Sequence, residues 1–163
     1  MFAKALVVLV PISAVLSGCI SYGGSDQIKQ LPTDVAASAR VGSIVVRSVP
    51  ADVSPEFKPA LESELRSKTA ACAKGKTELS LEVSIVQVKT QNPALTVLVG
   101  SSNSIKGQAR FARAETGEVV GDYDISHSVG GGGVLAAVGL SGAEKQMAVD
   151  FADEICSRFA RAK

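Results

Sequence analysis

Residues 79–88 have the sequence LSLEVSIVQV, and this alternation of apolar and polar side chains decides the fold. The apolar residues from Leu79 to Ile85 fall on one side of an extended chain, and the polar residues between them fall on the other. This pattern predicts a strand with one buried face and one wet face. The alternation slips after Ile85 and resumes at Val88, which predicts a β-bulge at this point.

Further strands and two amphipathic helices are predicted on either side of this strand. The predicted elements are, in order, strand 41–49, helix 55–75, strand 79–88, strand 104–114, strand 119–129 and helix 142–161. Each helix carries a single apolar stripe, and the strands keep one polar face. We therefore expect an α/β (α+β) fold, a two-layer sandwich of order strand-helix-strand-strand-strand-helix. Its sheet is expected to be mainly antiparallel, with both helices on one face.

The turn 115–118 joins the third and fourth of these strands, and its length sets their register. A one-residue slip would carry a whole strand to the other face of the sheet. An odd-length loop sets Phe111 near Tyr123, so that both rings point inward. We therefore predict an odd-length loop with Gly117 in a left-handed conformation.

Residues 1–18 are typical of a signal peptide, since Lys4 precedes a short apolar run that ends in Leu16-Ser17-Gly18-Cys19. These last residues resemble the lipobox of bacterial lipoproteins; the alternative is an ordinary secretory signal followed by a chance cysteine. The resemblance implies cleavage after Gly18, a diacylglycerol on the sulfur of Cys19 and N-acylation of the same residue. By resemblance to enterobacterial sorting, the absence of Asp at residue 20 implies the periplasmic side of the outer membrane, with the inner membrane as the alternative.

Residues 19–40 are expected to form the lipidated Cys19 and a flexible tether, because the stretch Ser21-Tyr22-Gly23-Gly24-Ser25 is rich in glycine and serine. A single domain would then occupy residues 41–163. Such a tether would allow the domain to stand off the membrane.

The charge balance excludes some classes of partner. The chain has 17 Lys and Arg against 16 Asp and Glu, which leaves no surplus of cations for a nucleic acid. Residues 70–77 resemble a relaxed phosphate-binding loop, but they end a helix and precede a strand, so the helix dipole points the wrong way. We expect no nucleotide and no other cofactor.

Two cysteines and one histidine remain as candidates for chemistry. Cys72 and Cys156 each lie late in a predicted helix, and a disulfide between them is expected, with two buried thiols as the alternative. His127 is the only histidine, so a hydrolase or a metal site would have to be centred on it. A structural His127 is the simpler interpretation, and no catalytic residue or metal ligand is assigned.

Two loops are more apolar than loops usually are, namely residues 93–100 and 130–140. In a meander of antiparallel strands both loops leave the same end of the sheet. One interpretation is that they pack on each other and on the helix ends, or that residues 94–99 simply extend a strand. The alternative is an exposed apolar tip used for oligomerisation, a partner protein or lipid contact. The candidate interface residues are Leu95, Val97, Leu98, Val134, Leu135, Val138 and Leu140.

The Pro93-to-Gly100 loop, the stretch Thr116-Gly117-Glu118-Val119 and the Ala-rich terminal helix resemble a family of small bacterial lipoproteins known as domain of unknown function four-four-one-zero. This resemblance implies the fold and an envelope location but no activity. We expect a non-catalytic envelope lipoprotein that binds an envelope protein or a second copy of itself through the apolar tip. The alternatives are a periplasmic hydrolase or metal-binding protein centred on His127, and a structural subunit of a secretion or lipid-transport complex.

Overall fold

The computed structural model describes residues 20–91, 101–131 and 142–161. These residues form five strands and three helices. The strands are β1 (Ile20–Lys29), β2 (Ala39–Ser48), β3 (Thr77–Lys89), β4 (Ser101–Arg113) and β5 (Val119–Gly131). The helices are α1 (Thr33–Ser38), α2 (Phe57–Cys72) and α3 (Ala143–Arg161).

The strands form one sheet in the order β1-β5-β4-β3-β2. All neighbours are antiparallel except β2 and β3, which are parallel and are joined by the crossover helix α2. Helices α2 and α3 contact each other and cover one face of the sheet, which confirms the predicted two-layer sandwich. Across the described ranges, no helix has the length and the apolar character needed to cross a membrane.

The core lies between the sheet and the two long helices, as the alternation in residues 79–88 predicts. Leu79, Leu81 and Val83 are fully buried, while the polar residues between them are only partly covered. The long helices contribute the other half of the core through their apolar stripes. The fully buried helix residues include Leu61, Leu65, Phe151, Ile155 and Phe159.

The tether predicted for residues 19–40 is wrong from Ile20 onward. Residues 20–29 form β1, which pairs along its length with β5, and the following residues form α1. Leu31 and Val35 are buried, so this part of the chain belongs to the core. Its glycine-rich composition favours a coil, but pairing with β5 stabilises an extended chain there, because strand preference depends strongly on tertiary context.

The predicted bulge is present, since the pairing of β3 with β4 shifts between Ile85 and Gln87. The turn after β4 differs from the prediction. Arg113 donates its N–H to the carbonyl of Glu118 at 2.9 Å, which leaves an even-length turn of residues 114–117. A further register shift then sets Phe111 opposite Gly121 instead of Tyr123.

Gly117 has φ of 70°, so its left-handed conformation is as predicted. The rings of Phe111 and Tyr123 still meet edge-on at 6.2 Å, because both remain on the inner face of the sheet. The predicted facing is therefore correct, whereas the predicted odd loop length and the predicted register are wrong.

Candidate functional site

The two apolar segments leave the same end of the sheet, which we call the loop end. β3 finishes at Lys89, and the next described strand, β4, starts at Ser101 directly opposite Gly131 of β5. Residues 92–100 and 132–141 lie outside the described residues, and so do all seven candidate interface residues. The described strand ends that flank these two segments lie together at the loop end. The opposite end of the sheet, with the turn 114–117, is the far end.

The first strand also begins at the loop end. Ile20 pairs with Gly130, next to the point where β5 leaves the sheet. Cys19 lies outside the described residues, but it is bonded to Ile20, and consecutive Cα atoms are about 3.8 Å apart. The described residues next to the predicted lipid attachment and next to both apolar segments therefore lie at one end of the fold. The sequence did not show this, because residues 20–40 resemble a linker.

A cavity of about 430 Å³ opens beside the loop end, between the first turns of α2 and α3 and the end of β3. Phe57 and Ala143 form part of its apolar lining, and Glu144 and Lys145 contribute charge. The hydroxyl of Ser54 donates to the carboxylate of Glu144, and the backbone N–H of Ser54 lies 3.2 Å from the same group. These bonds fasten the start of α2 to the start of α3 at the loop end.

His127 faces inward from β5, as its parity predicts, and its side chain is mostly buried. Its Nε2 lies 3.4 Å from Oδ2 of Asp150 on α3, and the two side chains are 13% and 16% exposed. Gln146 donates to the other carboxylate oxygen of Asp150 at 2.9 Å. On the other side of the imidazole, a Cβ added at Gly23 of β1 would lie 3.0 Å from Nδ1. His127 is therefore enclosed by β1 and α3 rather than presented in an open cleft.

Three charged residues of α3 follow one another at steps of four residues, namely Asp150, Glu154 and Arg158, and we call them the charged row. Glu154 is ion-paired with Arg158, a residue that is only 3% exposed and whose guanidinium lies over the ring of Tyr123 at 5.4 Å. The hydroxyl of Tyr123 accepts a hydrogen bond of 2.6 Å from the N–H of Leu31. The row thus joins α3 to β5 and to the segment after β1. The spacing of these residues, four apart beside the apolar stripe, is a sequence signal from which contacts between them could have been predicted.

The His127–Asp150 pair and its surroundings offer few groups for catalysis or metal binding. A His–Asp pair can transfer a proton, but nucleophilic catalysis also needs a third group within hydrogen-bond reach. In the described part of the chain, no three His, Cys, Asp or Glu side chains are grouped as metal ligands would be. The geometry favours a structural role for His127, in which it packs the edge strand β1 onto α3.

The structure joins Cys72 and Cys156 in a disulfide, with Cα atoms 5.8 Å apart. The bridge links the last turn of α2 to α3 across the helical layer. Nearby, Lys68 and Asp153 form an ion pair of 2.6 Å between the same helices. The two helices therefore form one covalently closed layer behind the sheet.

No family model matches the chain and no curated protein matches it, so the resemblance to domain of unknown function four-four-one-zero is not confirmed. Solved structures do match. PelC of Paraburkholderia phytofirmans, described as a dodecamer, is 12% identical over 85% of this chain and 97% of that chain, with a TM-score of 0.54. A minor lipoprotein of Acinetobacter baumannii is 14% identical over 76% of this chain and 94% of that chain, with a TM-score of 0.47. At this level of identity the likeness to PelC shows a shared fold alone.

Proposed function

We propose that this chain is a lipid-anchored envelope protein that acts, without catalysis, as a binding or assembly component at the membrane surface. One observation carries the proposal: β1 brings residue 20 to the loop end, from which both apolar segments leave. An acyl anchor on Cys19 would then hold the loop end against the bilayer. The apolar tip, residues 93–100 and 130–140, would meet whatever lies in or on the same membrane.

The lipid would supply the anchoring, since the protein itself has no charge preference for an anionic surface. Removing residues 1–18 takes away only Lys4, which leaves 16 basic against 16 acidic side chains from the original 17 and 16. Two or three acyl chains on one residue anchor a protein stably, whereas a single chain binds marginally. Ile20 in place of Asp supports the periplasmic side of the outer membrane as the location.

The partner we propose is a second copy of the chain, or an envelope protein seated in the same membrane. Contiguous apolar surface at the end of a domain is typical of an interaction site. PelC, one of the solved structures that share this fold, is described as a dodecamer, and this supports self-assembly for the present chain. A structural subunit of a secretion or lipid-transport complex is the more specific form of the same proposal.

The test is the native mass of the lipidated protein, gently extracted in detergent, beside a Leu98→Asp, Leu135→Asp variant. The proposal predicts a large complex for the wild type and a monomer for the folded variant. A Val86→Asp variant is the control, because it adds a carboxylate at an exposed site on the outer face of the sheet. Monomers in all three samples would contradict the proposal.

A hydrolase centred on His127 is the second candidate, and the contact between His127 and Asp150 is the observation that favours it. The enclosure of the imidazole by Gly23 and α3 argues against it, because a substrate would have to displace β1. A His127→Gln variant separates the two functions. Retained fold with loss of the cellular phenotype would support the hydrolase, and an unchanged phenotype would support binding alone.

A further inference from the structure

We propose that copies of this chain join through their sheets: the edge strand β1 of one copy pairs antiparallel with the edge strand β2 of the next. This inference rests on the proposed role as an assembly component, but it uses a different surface from the apolar tip. The two surfaces can therefore fail independently.

Both edges of the sheet are open along defined stretches. In the strand order, β1 has β5 on one side and β2 has β3 on one side, and within the described residues neither strand pairs on its other side over most of its length. The start of β2 is the exception, because Arg40 forms a bridge with Lys74. Residues 42–48 thus remain open, and the unpaired N–H and C=O groups of an edge strand are a template for another strand.

The open stretches of the two edges lie at the same height in the sheet. Pairing runs across the strands from Asp26 to Asp124, from Asp124 to Gln108, from Gln108 to Ser84 and from Ser84 to Ser48. Asp26 on one edge is therefore level with Ser48 on the other. A second copy placed beside the first, shifted by one residue from equal height, would present residues 44–47 to residues 26–29, the last part of β1.

One antiparallel register matches the side chains of both edges. If Asp26 faces Arg47, then Ile28 faces Val45, because Ile28 comes two residues after Asp26 and Val45 two residues before Arg47 on the antiparallel strand. Each strand has a register irregularity here, between Gln27 and Lys29 on β1 and between Val46 and Ser48 on β2, so the pairing must accommodate both. Ile28 and Val45 are 60% and 43% exposed, and in this register each would cover the other. The same register therefore pairs opposite charges and apolar surface together.

The charges near Asp26 also favour a cation from outside the chain. Asp26 and Asp124 are directly opposite each other across β1 and β5, and like charges in that position destabilise a sheet. The guanidinium of Arg47 is charged at any physiological pH, is ion-paired with Glu82 of its own copy, and belongs to a side chain that is still 60% exposed. An Arg47 from a neighbouring copy would offset the repulsion between the two aspartates.

The direction of the strands selects this partner over others. β1 and β2 run in opposite directions within one copy, so their antiparallel pairing leaves neighbouring copies with their loop ends on the same side. Two β1 strands pairing antiparallel would point the loop ends in opposite directions, which a shared membrane would not allow. Because the two edges differ, the contact is heterologous and repeats from copy to copy.

The test is disulfide trapping in the full lipidated protein. An Asp26→Cys, Arg47→Cys variant should form a ladder of covalent multimers on a non-reducing gel, and so should an Ile28→Cys, Val45→Cys variant. Bridging within one copy is excluded, because four strand spacings separate the edges by about 19 Å, and a disulfide needs Cα atoms within about 7 Å. Asp26→Cys, Ser43→Cys is the matched control, since it is four residues out of register.

A ladder from both in-register pairs and none from the control would support the proposal. Absence of a ladder from the in-register pairs would overturn it, as would covalent dimers from the single Asp26→Cys variant, which would show β1 against β1. The native mass of the Leu98→Asp, Leu135→Asp variant is measured in parallel; a ladder from the in-register pairs together with a monomeric variant means that stable edge pairing also needs the apolar tip. If the ladder forms but that variant keeps its mass, the edges assemble the protein and the apolar tip does not. If no ladder forms but that variant becomes a monomer, the tip proposal alone stands.

Discussion

Removing the disulfide between Cys72 and Cys156 should cost this fold a large part of its stability. The bridge spans 84 positions of sequence, and closing a loop of that length removes entropy from the unfolded chain. The chain-entropy relation gives about 4.5 kcal/mol at 25 °C for such a loop. For a domain of this size, about 1 kcal/mol lowers the melting temperature by roughly 3 °C, so we expect a drop of roughly 10–15 °C.

The assay is thermal unfolding, followed by circular dichroism, of the wild type and of a Cys72→Ser, Cys156→Ser variant. Serine keeps the size of the side chain, and both positions are half-buried, so the packing cost should be small. Reducing the wild type should produce the same drop, and reducing the variant should change nothing. A melting temperature within about 3 °C of the wild type, or two free thiols in the unreduced protein, would refute the reasoning.

Three further substitutions test the packing of the edge strand, the buried ion pair and the turn. Gly23→Ala should lower stability by about 1 kcal/mol, because its Cβ would lie 3.0 Å from a ring nitrogen of the imidazole beneath it, whereas Gly24→Ala, with its nearest contact at 3.8 Å, should cost less in a urea titration. Arg158→Met should cost about 3 kcal/mol in the same titration, since it leaves Glu154 charged and without its ion pair; adding Glu154→Gln should recover part of the loss. Gly117→Ala should cost about 1 kcal/mol because φ there is 70°, and an equal urea midpoint would contradict the assigned turn.

The alternating strand and the striped helices made the sandwich predictable, because period and burial are coupled in both kinds of element. Leu81 and Phe151 are buried for the reasons that the sequence gives. The bulge after Ile85 was equally visible, since a slip in alternation can only be accommodated by an extra residue or a change of face. Alternation, apolar stripes and a slip in alternation each determine the local structure without reference to distant parts of the chain.

Residues 20–40 could not be predicted in the same way. The extended conformation of β1 is stabilised by pairing with β5, a strand about 100 positions away in sequence. The glycines at 23 and 24 give this segment the composition of a flexible linker. The imidazole of His127 occupies the space that a side chain at residue 23 would need, and this explains the glycine at that position. The contact between His127 and Asp150 was hidden for the same reason, because it joins a strand to a helix whose relative placement the sequence does not give.

The position of the loop end relative to the bilayer tests the central claim most directly. Thr90 near the loop end and Thr116 at the far end are both exposed, and the length of β4 separates the two ends by about 40 Å. Each is replaced by cysteine and labelled with a fluorophore in the lipidated protein on vesicles that contain a lipid-borne quencher. The account predicts strong quenching at residue 90 and little at residue 116. Equal, weak quenching at both positions would contradict it, because the domain would then stand away from the membrane.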